Sequence, residues 1–392
     1  MLLTLGLVIL LFWVSRIPHY QAQSLRLLPE HWTSPHHARV SLIVAARDEA
    51  AGIAASVRSL LSQDWPNLEL IVVDDRSTDG TSEILDDLST RFPQLQVIHN
   101  HELPSGWLGK CWALSLGARK ATGDWLVFCD GDVIMQPHTI RSVVTTCETE
   151  HLDHLCLAPR MLNQSFWQDA VVASLSFLFY LFQDPRHIFD RNKVHSYMGV
   201  GAFNMVRRDL YERVGGHAKL RLEVVDDVFL GMLAKRGGGR SGFFLGQNLA
   251  SIRWYSSLWQ YIRGLEKNSF AGLRFSWWLL GLSIAVQTLI FFLPPFLSLT
   301  TTGWTRVPWL LSTFISHGLF IQCCRRHAVD WTRGLTLVPA IMIQFLTFCR
   351  SAWIMTRQGG VMWRGTFYPM QELKAAQGIL RGPFIPWFHR SH

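Results

Sequence analysis

The sequence contains few charged side chains for its length. Asp, Glu, Lys and Arg make up 17% of its 392 residues, whereas hydrophobic residues make up 49%. A soluble protein rarely has this balance, and a protein that spans a membrane commonly does. The net charge is +8, which suits an anionic membrane surface. No basic stripe accompanies a nucleic-acid-binding motif, so the sequence argues against nucleic acid as a partner.

The seven cysteines form neither a metal-binding pattern nor a disulfide framework. Four of them fall in the segment that we predict to be cytoplasmic, where thiols stay reduced: Cys111, Cys129, Cys147 and Cys156. The pattern Gly-x-Gly-x-x-Gly is also missing after the first predicted strand, which argues against a nicotinamide-binding protein. The apolar segments and the acidic residues are therefore the informative features.

Long apolar runs occur near both ends of the chain. The first covers Met1 to Val14, and we predict an N-terminal transmembrane anchor over residues 1–17. A cleaved signal peptide is the competing interpretation, but basic residues follow the run and no Ala-x-Ala-like cleavage site is evident. We also predict C-terminal transmembrane helices within residues 276–356, rather than buried core helices of a soluble domain. Three runs supply them: Trp277 to Leu299, Val307 to Cys323 and Leu335 to Met355.

The basic residues give conflicting indications of topology. Because they follow the first apolar run, the positive-inside rule places the amino terminus outside and residues from 16 onward in the cytoplasm. Four spans would then place the predicted basic tail, residues 357–392, outside. That tail contains basic side chains that argue for the cytoplasm: Arg357, Arg364, Lys374, Arg381 and Arg390. The number of C-terminal spans stays open, and one apolar run could be re-entrant or interfacial.

Strand and helix patterns alternate between residues 39 and 160. Strands are predicted at 40–46, 69–74, 95–99, 125–129 and 154–158. Helices are predicted at 49–62, 79–91, 110–121 and 137–149. This alternation predicts an α/β fold in which helices cover both faces of a mostly parallel sheet.

Acidic residues follow the predicted strands at their carboxyl ends, where open α/β sheets bind ligands. The pairs are Asp48 and Glu49, Asp74 and Asp75, and Asp130 and Asp132. Asp-Gly-Asp is also an ordinary turn sequence. Two carboxylates in one short turn nevertheless suit a hard divalent cation that shares substrate phosphate oxygens.

Three segments resemble family-2 glycosyltransferases with the GT-A fold: residues 40–49, residues 72–81 and the motif Gly-Trp-Leu-Gly-Lys at residues 106–110. The third motif resembles the membrane-bound branch that glycosylates lipids. That branch includes ceramide glucosyltransferases, hopanoid-associated enzymes and carotenoid glycosyltransferases. The resemblance covers residues 39 to 270, and it implies a GT-A domain over residues 39–250.

The resemblance implies that several side chains bind a nucleotide-sugar donor. Ala46, Arg47, Glu49 and Asp75 would contact the base and ribose. Asp74 is interpreted as a structural turn residue. The other donor-binding candidates are Lys110 for phosphate or sugar, Trp107 for packing on the sugar or nucleoside, Asp130 for the sugar, ribose or the water shell of the metal, and Gln260. Asp132 would be the direct ligand of Mg²⁺ or Mn²⁺.

Asp227 is the candidate general base, because Asp226-Asp227-Val228-Phe229-Leu230 resembles the family's Glu-Asp-x-x-Leu segment. Asp226 could instead cap the helix. Arg263 would neutralise the diphosphate. It belongs to Gln260-Tyr261-Ile262-Arg263-Gly264, which resembles the family's Gln/Arg-x-x-Arg-Trp segment with glycine in place of tryptophan. That replacement argues against a processive polysaccharide synthase.

These features predict an integral, multi-pass membrane enzyme with a cytoplasmic catalytic domain and an interfacial segment at residues 251–275. The predicted reaction is metal-dependent, inverting transfer of a hexose, with UDP-glucose as the favoured donor, to a hydroxyl of a lipid or isoprenoid such as a glycolipid, hopanoid or carotenoid. The alternative within enzymes is a polyprenyl-phosphate or cell-envelope polysaccharide glycosyltransferase. The alternative from another class is an inactive membrane scaffold that keeps the fold.

Overall fold

The computed structural model describes residues 1–21, 26–29 and 38–381. The last part of the predicted basic tail, including Arg390, lies outside the described residues. Within them, an α/β domain adjoins a bundle of apolar helices. The main sheet of the domain contains eight strands: β1 (Val40–Ala46), β2 (Leu68–Asp75), β3 (Leu95–Asn100), β4 (Trp125–Asp130), β5 (Val133–Met135), β6 (His154–Met161), β7 (Asn204–Arg207) and β8 (Ser241–Ile252).

The strand order is β3-β2-β1-β4-β7-β6-β8-β5. Strands β3, β2, β1 and β4 are parallel neighbours, as are β6 and β8, whereas β7 and β5 pair antiparallel with their neighbours. The predicted α/β fold with a mostly parallel sheet is confirmed, and the five predicted strands are β1 to β4 and β6. The short strands β5 and β7 were not predicted, because three or four residues are too few to show a periodic pattern.

The described helices are α1 (Leu2–Arg16), α2 (Ile53–Leu61), α3 (Thr81–Arg91), α4 (Gly109–Lys120), α5 (Thr139–Thr149), α6 (Phe166–Phe182), α7 (Arg186–Phe189), α8 (Arg208–Val214), α9 (Gly216–Lys219), α10 (Asp226–Arg236), α11 (Leu258–Gly272), α12 (Trp277–Gln287), α13 (Leu293–Thr300), α14 (Val307–Arg326), α15 (Leu337–Gln358) and α16 (Met370–Arg381). The predicted start of α2 at residue 49 is wrong by four residues. Asp48 has a φ of +52°, and a turn from Glu49 to Gly52 precedes the helix.

Four helical segments of the described chain are long and apolar enough to cross a membrane: Leu2–Tyr20, Trp277–Thr300, Gly303–Arg326 and Trp331–Gln358. They coincide with the four predicted apolar runs. In the second segment, a π-helical turn at Thr288–Phe292 separates α12 from α13 just before Pro294. Proline lacks an N–H group, so the regular hydrogen-bond ladder is interrupted there.

The apolar helices pack on one another and on the α/β domain. The buried indole of Trp13 in α1 donates a hydrogen bond to the carbonyl of Ile290 at 3.3 Å. The amide of Gln344 in α15 donates to the hydroxyl of Tyr261 in α11 at 2.7 Å and to the carbonyl of Val171 in α6 at 3.0 Å. An unpaired buried amide costs free energy, so these bonds favour one position of α15 against α6 and α11.

An antiparallel hairpin follows α15 and was not predicted. It consists of β9 (Gly360–Trp363) and β10 (Thr366–Pro369). Its turn residues, Arg364 and Gly365, have φ values of +47° and +76°, which fit a two-residue hairpin turn. The hairpin lies in the segment predicted as a basic tail, and it folds back onto the α/β domain.

Candidate active site

A cavity of about 550 Å³ opens at the carboxyl ends of β1, β2 and β4. Parallel neighbours in a sheet share one carboxyl edge, so acidic residues that are far apart in the sequence meet there. Eight of the eleven predicted site residues line this cavity: Ala46, Arg47, Glu49, Asp75, Lys110, Asp130, Asp132 and Arg263. Trp107, Asp227 and Gln260 are not among its lining residues.

The rest of the cavity lining includes parts of the chain that we did not predict as site residues. Ile354, Met355 and Gln358 at the end of α15 contribute to it, as does the hairpin β9–β10. In the hairpin turn, Arg364 Nη2 lies 2.6 Å from Glu49 Oε1. The sequence does carry a signal for the hairpin, since apolar residues flank a Gly-containing turn on both sides.

Asp75 is buried at the end of β2, and basic and amide groups hold its carboxylate. Arg76 donates to both oxygens, at 2.9 and 2.8 Å, and the Asn100 amide donates at 2.7 Å. Gly109 must be small here, because a Cβ on it would lie 2.5 Å from Asp75 Oδ2. Trp107 lies behind this group, with its ring 5.1 Å from that of Trp112. Arg76 and Asn100 were not predicted as site residues.

Lys110 is the cation nearest to the acidic cluster. Its Nζ lies 2.6 Å from Asp130 Oδ1 and 3.8 Å from Asp226 Oδ1. Burial alone would lower the pKa of Lys110, but the carboxylates of Asp130, Asp226 and Asp227 raise that pKa well above its usual value. Lys110 therefore carries a positive charge at the wall of the cavity, where it can contact an anionic ligand.

Asp227 lies behind this cation, at the start of α10. Its carboxylate accepts hydrogen bonds from the backbone N–H groups of Gly201 and Val228, each at 2.8 Å. Burial raises the pKa of Asp227, although Lys110 and the two N–H groups oppose that effect. A Cβ on Gly201 would lie 2.7 Å from Asp130 Oδ2 and 3.3 Å from Asp227 Oδ2. Gly201, which we did not predict, thus lets both carboxylates approach Lys110.

Asp132 differs from Asp130 because no basic side chain of the described residues forms an ion pair with it. Burial, followed by the charges of Asp130 and Glu49, raises the pKa of Asp132 to about 7. A divalent cation would relieve this repulsion. Among the described residues, no group of three His, Cys, Asp or Glu side chains could hold a metal ion. The arrangement fits Mg²⁺ or Mn²⁺, which often bind one or two carboxylates together with substrate phosphates.

The start of α11 carries the remaining predicted residues. Ser257 caps the helix by accepting from the Gln260 N–H at 3.2 Å, and Gln260 Oε1 accepts from Ser256 Oγ at 2.7 Å. The side chain of Gln260 therefore serves helix capping in this structure. Arg263 is exposed on the cavity wall, 5.9 Å from the ring of Trp259.

Tyr255 lies against the backbone of Gly264, the glycine that interrupts the motif of α11. A Cβ on Gly264 would lie 2.2 Å from the Tyr255 hydroxyl oxygen. Burial, together with the charges of Asp130 and Asp132, raises the pKa of Tyr255 to about 12. The phenol lines the cavity between those carboxylates and the end of α15.

Residues 41–215 match the sequence profile described as Glycosyl transferase family 2. Beta-monoglucosyldiacylglycerol synthase from Synechocystis sp. is 32% identical over 182 residues, which are 45% of this chain and 36% of that protein. The 4,4'-diaponeurosporenoate glycosyltransferase from Staphylococcus haemolyticus is 25% identical over 228 residues, 56% of this chain and 57% of that protein. This chain therefore spans 36% to 57% of the length of these two relatives.

Among solved structures, the chain is similar to the mannosyltransferase PcManGT from Pyrobaculum calidifontis in complex with GDP-Man and Mn2+. The two chains are 16% identical with a TM-score of 0.48, and the similarity covers 98% of this chain and 100% of that chain.

Proposed function

We propose that this chain, whose residues 41–215 form a family 2 glycosyltransferase domain, transfers a hexose to the hydroxyl of a lipid or isoprenoid. UDP-glucose is the donor that we favour, and the transfer is inverting. One observation carries the proposal: a single cavity is lined both by Asp130 and Asp132 and by Ile354 and Met355, at the end of a helix that is apolar enough to cross a membrane. An acceptor with a hydroxyl head and an apolar body fits both parts of this lining.

Each part of the reaction has a candidate residue in this proposal. Asp75 and Arg47 bind the nucleoside, and Lys110 and Arg263 neutralise the leaving diphosphate. Asp132 would hold Mg²⁺ or Mn²⁺, which supplies further charge neutralisation when bound. Asp227 lines a small second pocket that shares Lys110 with the cavity. From there it would accept the proton of the acceptor hydroxyl, and no second nucleophile is needed for inversion.

The names of the relatives support a lipid acceptor. One is named for monoglucosyldiacylglycerol and another for diaponeurosporenoate, and both names describe largely apolar molecules. The apolar helices at both ends of this chain support the same acceptor class, since they hold the cavity close to a bilayer.

The first prediction concerns the product. Membranes that contain the chain, incubated with radiolabelled UDP-glucose, should yield label that partitions into organic solvent and carries a β-linked hexose. The same membranes with other labelled sugar nucleotides serve to compare donors, and the Asp132→Ala variant serves as the matched control. Efficient labelling of a water-soluble glycan or protein, without labelled lipid, would contradict the lipid acceptor but not the transferase activity. No transfer from any donor would contradict the proposed function.

The second prediction concerns Tyr255 and Gly264, which would bound the acceptor side of the cavity. Gly264→Ala should raise the KM for diacylglycerol about tenfold, because the new methyl group displaces the phenol, and overpacking typically costs about 1–3 kcal/mol. In a Tyr255→Ala background, the same change should add little, because no ring remains to be displaced. Steady-state kinetics in mixed micelles with UDP-glucose would measure both effects.

Gly272→Ala is the control for these variants, because Gly272 lies in the same helix and a Cβ there would meet no atom within 4 Å. It should leave the KM for both substrates unchanged. A rise in the KM for UDP-glucose, rather than for diacylglycerol, would assign Tyr255 to the donor instead.

A further inference from the structure

The segment Trp331–Gln358, which contains α15, is long and apolar enough to cross a membrane. Both of its ends nevertheless contact the α/β domain. Near the amino end, Arg333 Nη2 lies 3.2 Å from Asp169 Oδ2 in α6. Near the carboxyl end, Met355 belongs to a buried apolar cluster that also contains Leu108 and Cys111 of the domain. The ends of a crossing helix lie on opposite sides of a hydrocarbon core about 30 Å thick, so one domain could not contact both.

The middle of this segment runs beside α11. Arg350 Nε lies 2.5 Å from Glu266 Oε1, and the Phe270 N–H donates to Ser351 Oγ at 3.0 Å. Helix α11 cannot lie in the hydrocarbon core, because Arg263, Glu266 and Lys267 line the polar cavity. Because α15 packs along α11, it also lies outside the hydrocarbon core over the residues that contact α11.

The other three apolar segments have one end at the domain and one end away from it. At the start of Trp277–Thr300, the ring of Trp277 lies 5.6 Å from that of Phe270 in α11. In Leu2–Tyr20, the Tyr20 hydroxyl donates to the Phe177 carbonyl of α6 at 2.7 Å, whereas Gly6 lies against Pro308 at the start of α14. After the end of α14, His327 Nε2 lies 2.9 Å from the hydroxyl of Tyr180. The connection between Trp277–Thr300 and Gly303–Arg326 is therefore at the far end of the bundle.

The outer face of the α15 segment is apolar. Leu335, Met342, Leu346 and Trp353 are exposed, and their spacing of seven, four and seven residues places them on one side of a helix. Arg350 of α15 lies close to this face, since its guanidinium group is 5.1 Å from the exposed ring of Trp259. Apolar and aromatic side chains beside an arginine fit the boundary between acyl chains and anionic head groups.

We propose that Trp331–Gln358 does not cross the membrane but lies in its cytoplasmic interface, with the Leu335–Trp353 stripe among the lipid acyl chains. The described part of the chain then crosses three times, and residues 359–381 are on the same side as the catalytic domain, as the positive-inside rule favours. The helix also leads from the lipid surface to the catalytic cavity. This inference rests on the proposed membrane location, and its tests do not depend on transfer activity.

The first test measures sidedness. In a Cys349→Ser background, which removes the exposed cysteine, single cysteines replace Lys120 in the domain, Lys374 in α16 and Thr302 in the far connection. Sealed vesicles of both orientations are treated with a membrane-impermeant maleimide. Positions 120 and 374 should react from the same side, and position 302 from the other. Reaction of positions 374 and 302 from one side would overturn the proposal.

The second test measures depth with nitroxide labels at Leu335→Cys, Leu346→Cys and Trp353→Cys in liposomes that contain anionic lipid. Residues 335 and 353 are about 27 Å apart along the helix axis. The collision rates of their labels with oxygen and with a nickel complex should nevertheless report similar, shallow depths in the membrane for all three positions. Labels at Val307→Cys and Phe314→Cys, in a crossing helix, should differ in depth by about 10 Å. If residue 346 were much deeper than residues 335 and 353, the helix would cross the membrane and the proposal would be wrong. If neither oxygen nor the nickel complex reached the three labels, a second copy of the chain would cover the stripe, and the proposal would also be wrong.

Discussion

Replacing Asp227 by asparagine should lower turnover by roughly 10²- to 10⁴-fold, the range that general acid–base catalysis contributes. The amide keeps the size of the side chain but cannot take up a proton at neutral pH. One amide oxygen can still accept from the N–H of Gly201 or Val228, so α10 should keep its start. The affinity for UDP-glucose, measured by calorimetry, should change little, because Asp227 does not line the cavity that we assign to the donor.

Asp226→Asn is the matched comparison, because the two carboxylates are neighbours and burial raises the pKa of both. Asp226 faces Lys110, at 3.8 Å, and its loss should mainly weaken the positioning of that cation. A smaller loss of turnover is therefore expected than for Asp227→Asn. If Asp226→Asn gave the larger loss while donor binding stayed intact, Asp226 would be the base.

The parallel part of the sheet around the site could be predicted from the sequence, because β1, β2 and β4 are short apolar runs that end in, or are soon followed by, carboxylates. Buried parallel strands need apolar side chains on both faces, and β1, β2 and β4 meet that need with Val, Ile and Leu. Strand β7 could not be predicted in the same way, because Asn204–Arg207 is held by its neighbours β4 and β6 rather than by its own pattern.

The acidic edge of the cavity could also be predicted, since parallel strands bring their carboxyl ends together. The part of the lining from α15 and the hairpin could not, because it depends on tertiary packing over long separations. Arg364 contacts Glu49 across 315 residues of sequence, and its approach requires α15 to run back along α11. Tyr255 is a similar case. Gly264 alone indicates a missing side chain, and the structure is needed to show which ring lies in that space.

The acidic side chains of Glu49, Asp130 and Asp132 line the cavity. Two of them are paired with a basic side chain, and the third, Asp132, is the predicted metal ligand. Lys110 neutralises Asp130 directly, and Arg364 neutralises Glu49. Burial, followed by repulsion from Asp130 and Glu49, raises the pKa of Asp132 to about 7. A diphosphate would add further negative charge beside it, so we expect donor binding at this place to need an additional cation.

Replacing Asp132 by alanine should therefore abolish the dependence of donor binding on Mg²⁺ or Mn²⁺. In saturating metal, the affinity for UDP-glucose should fall by more than about 100-fold. Removing a residue that only hydrogen-bonds to a metal ligand typically costs up to about 100-fold, and this variant removes a direct ligand. Without metal, the variant should bind UDP-glucose no more weakly than the unmodified chain does, since alanine also removes a negative charge. Titration calorimetry with UDP-glucose, with metal and with excess chelator, separates the two effects.

Asp87→Ala is the control, because Asp87 is exposed in α3 and pairs with Arg91 at 2.6 Å. This variant should leave the metal dependence of donor binding unchanged. Full activity of the unmodified chain in excess chelator would contradict the metal requirement itself, whereas metal-dependent binding that survives in Asp132→Ala would move the ligand to Asp130 or Glu49.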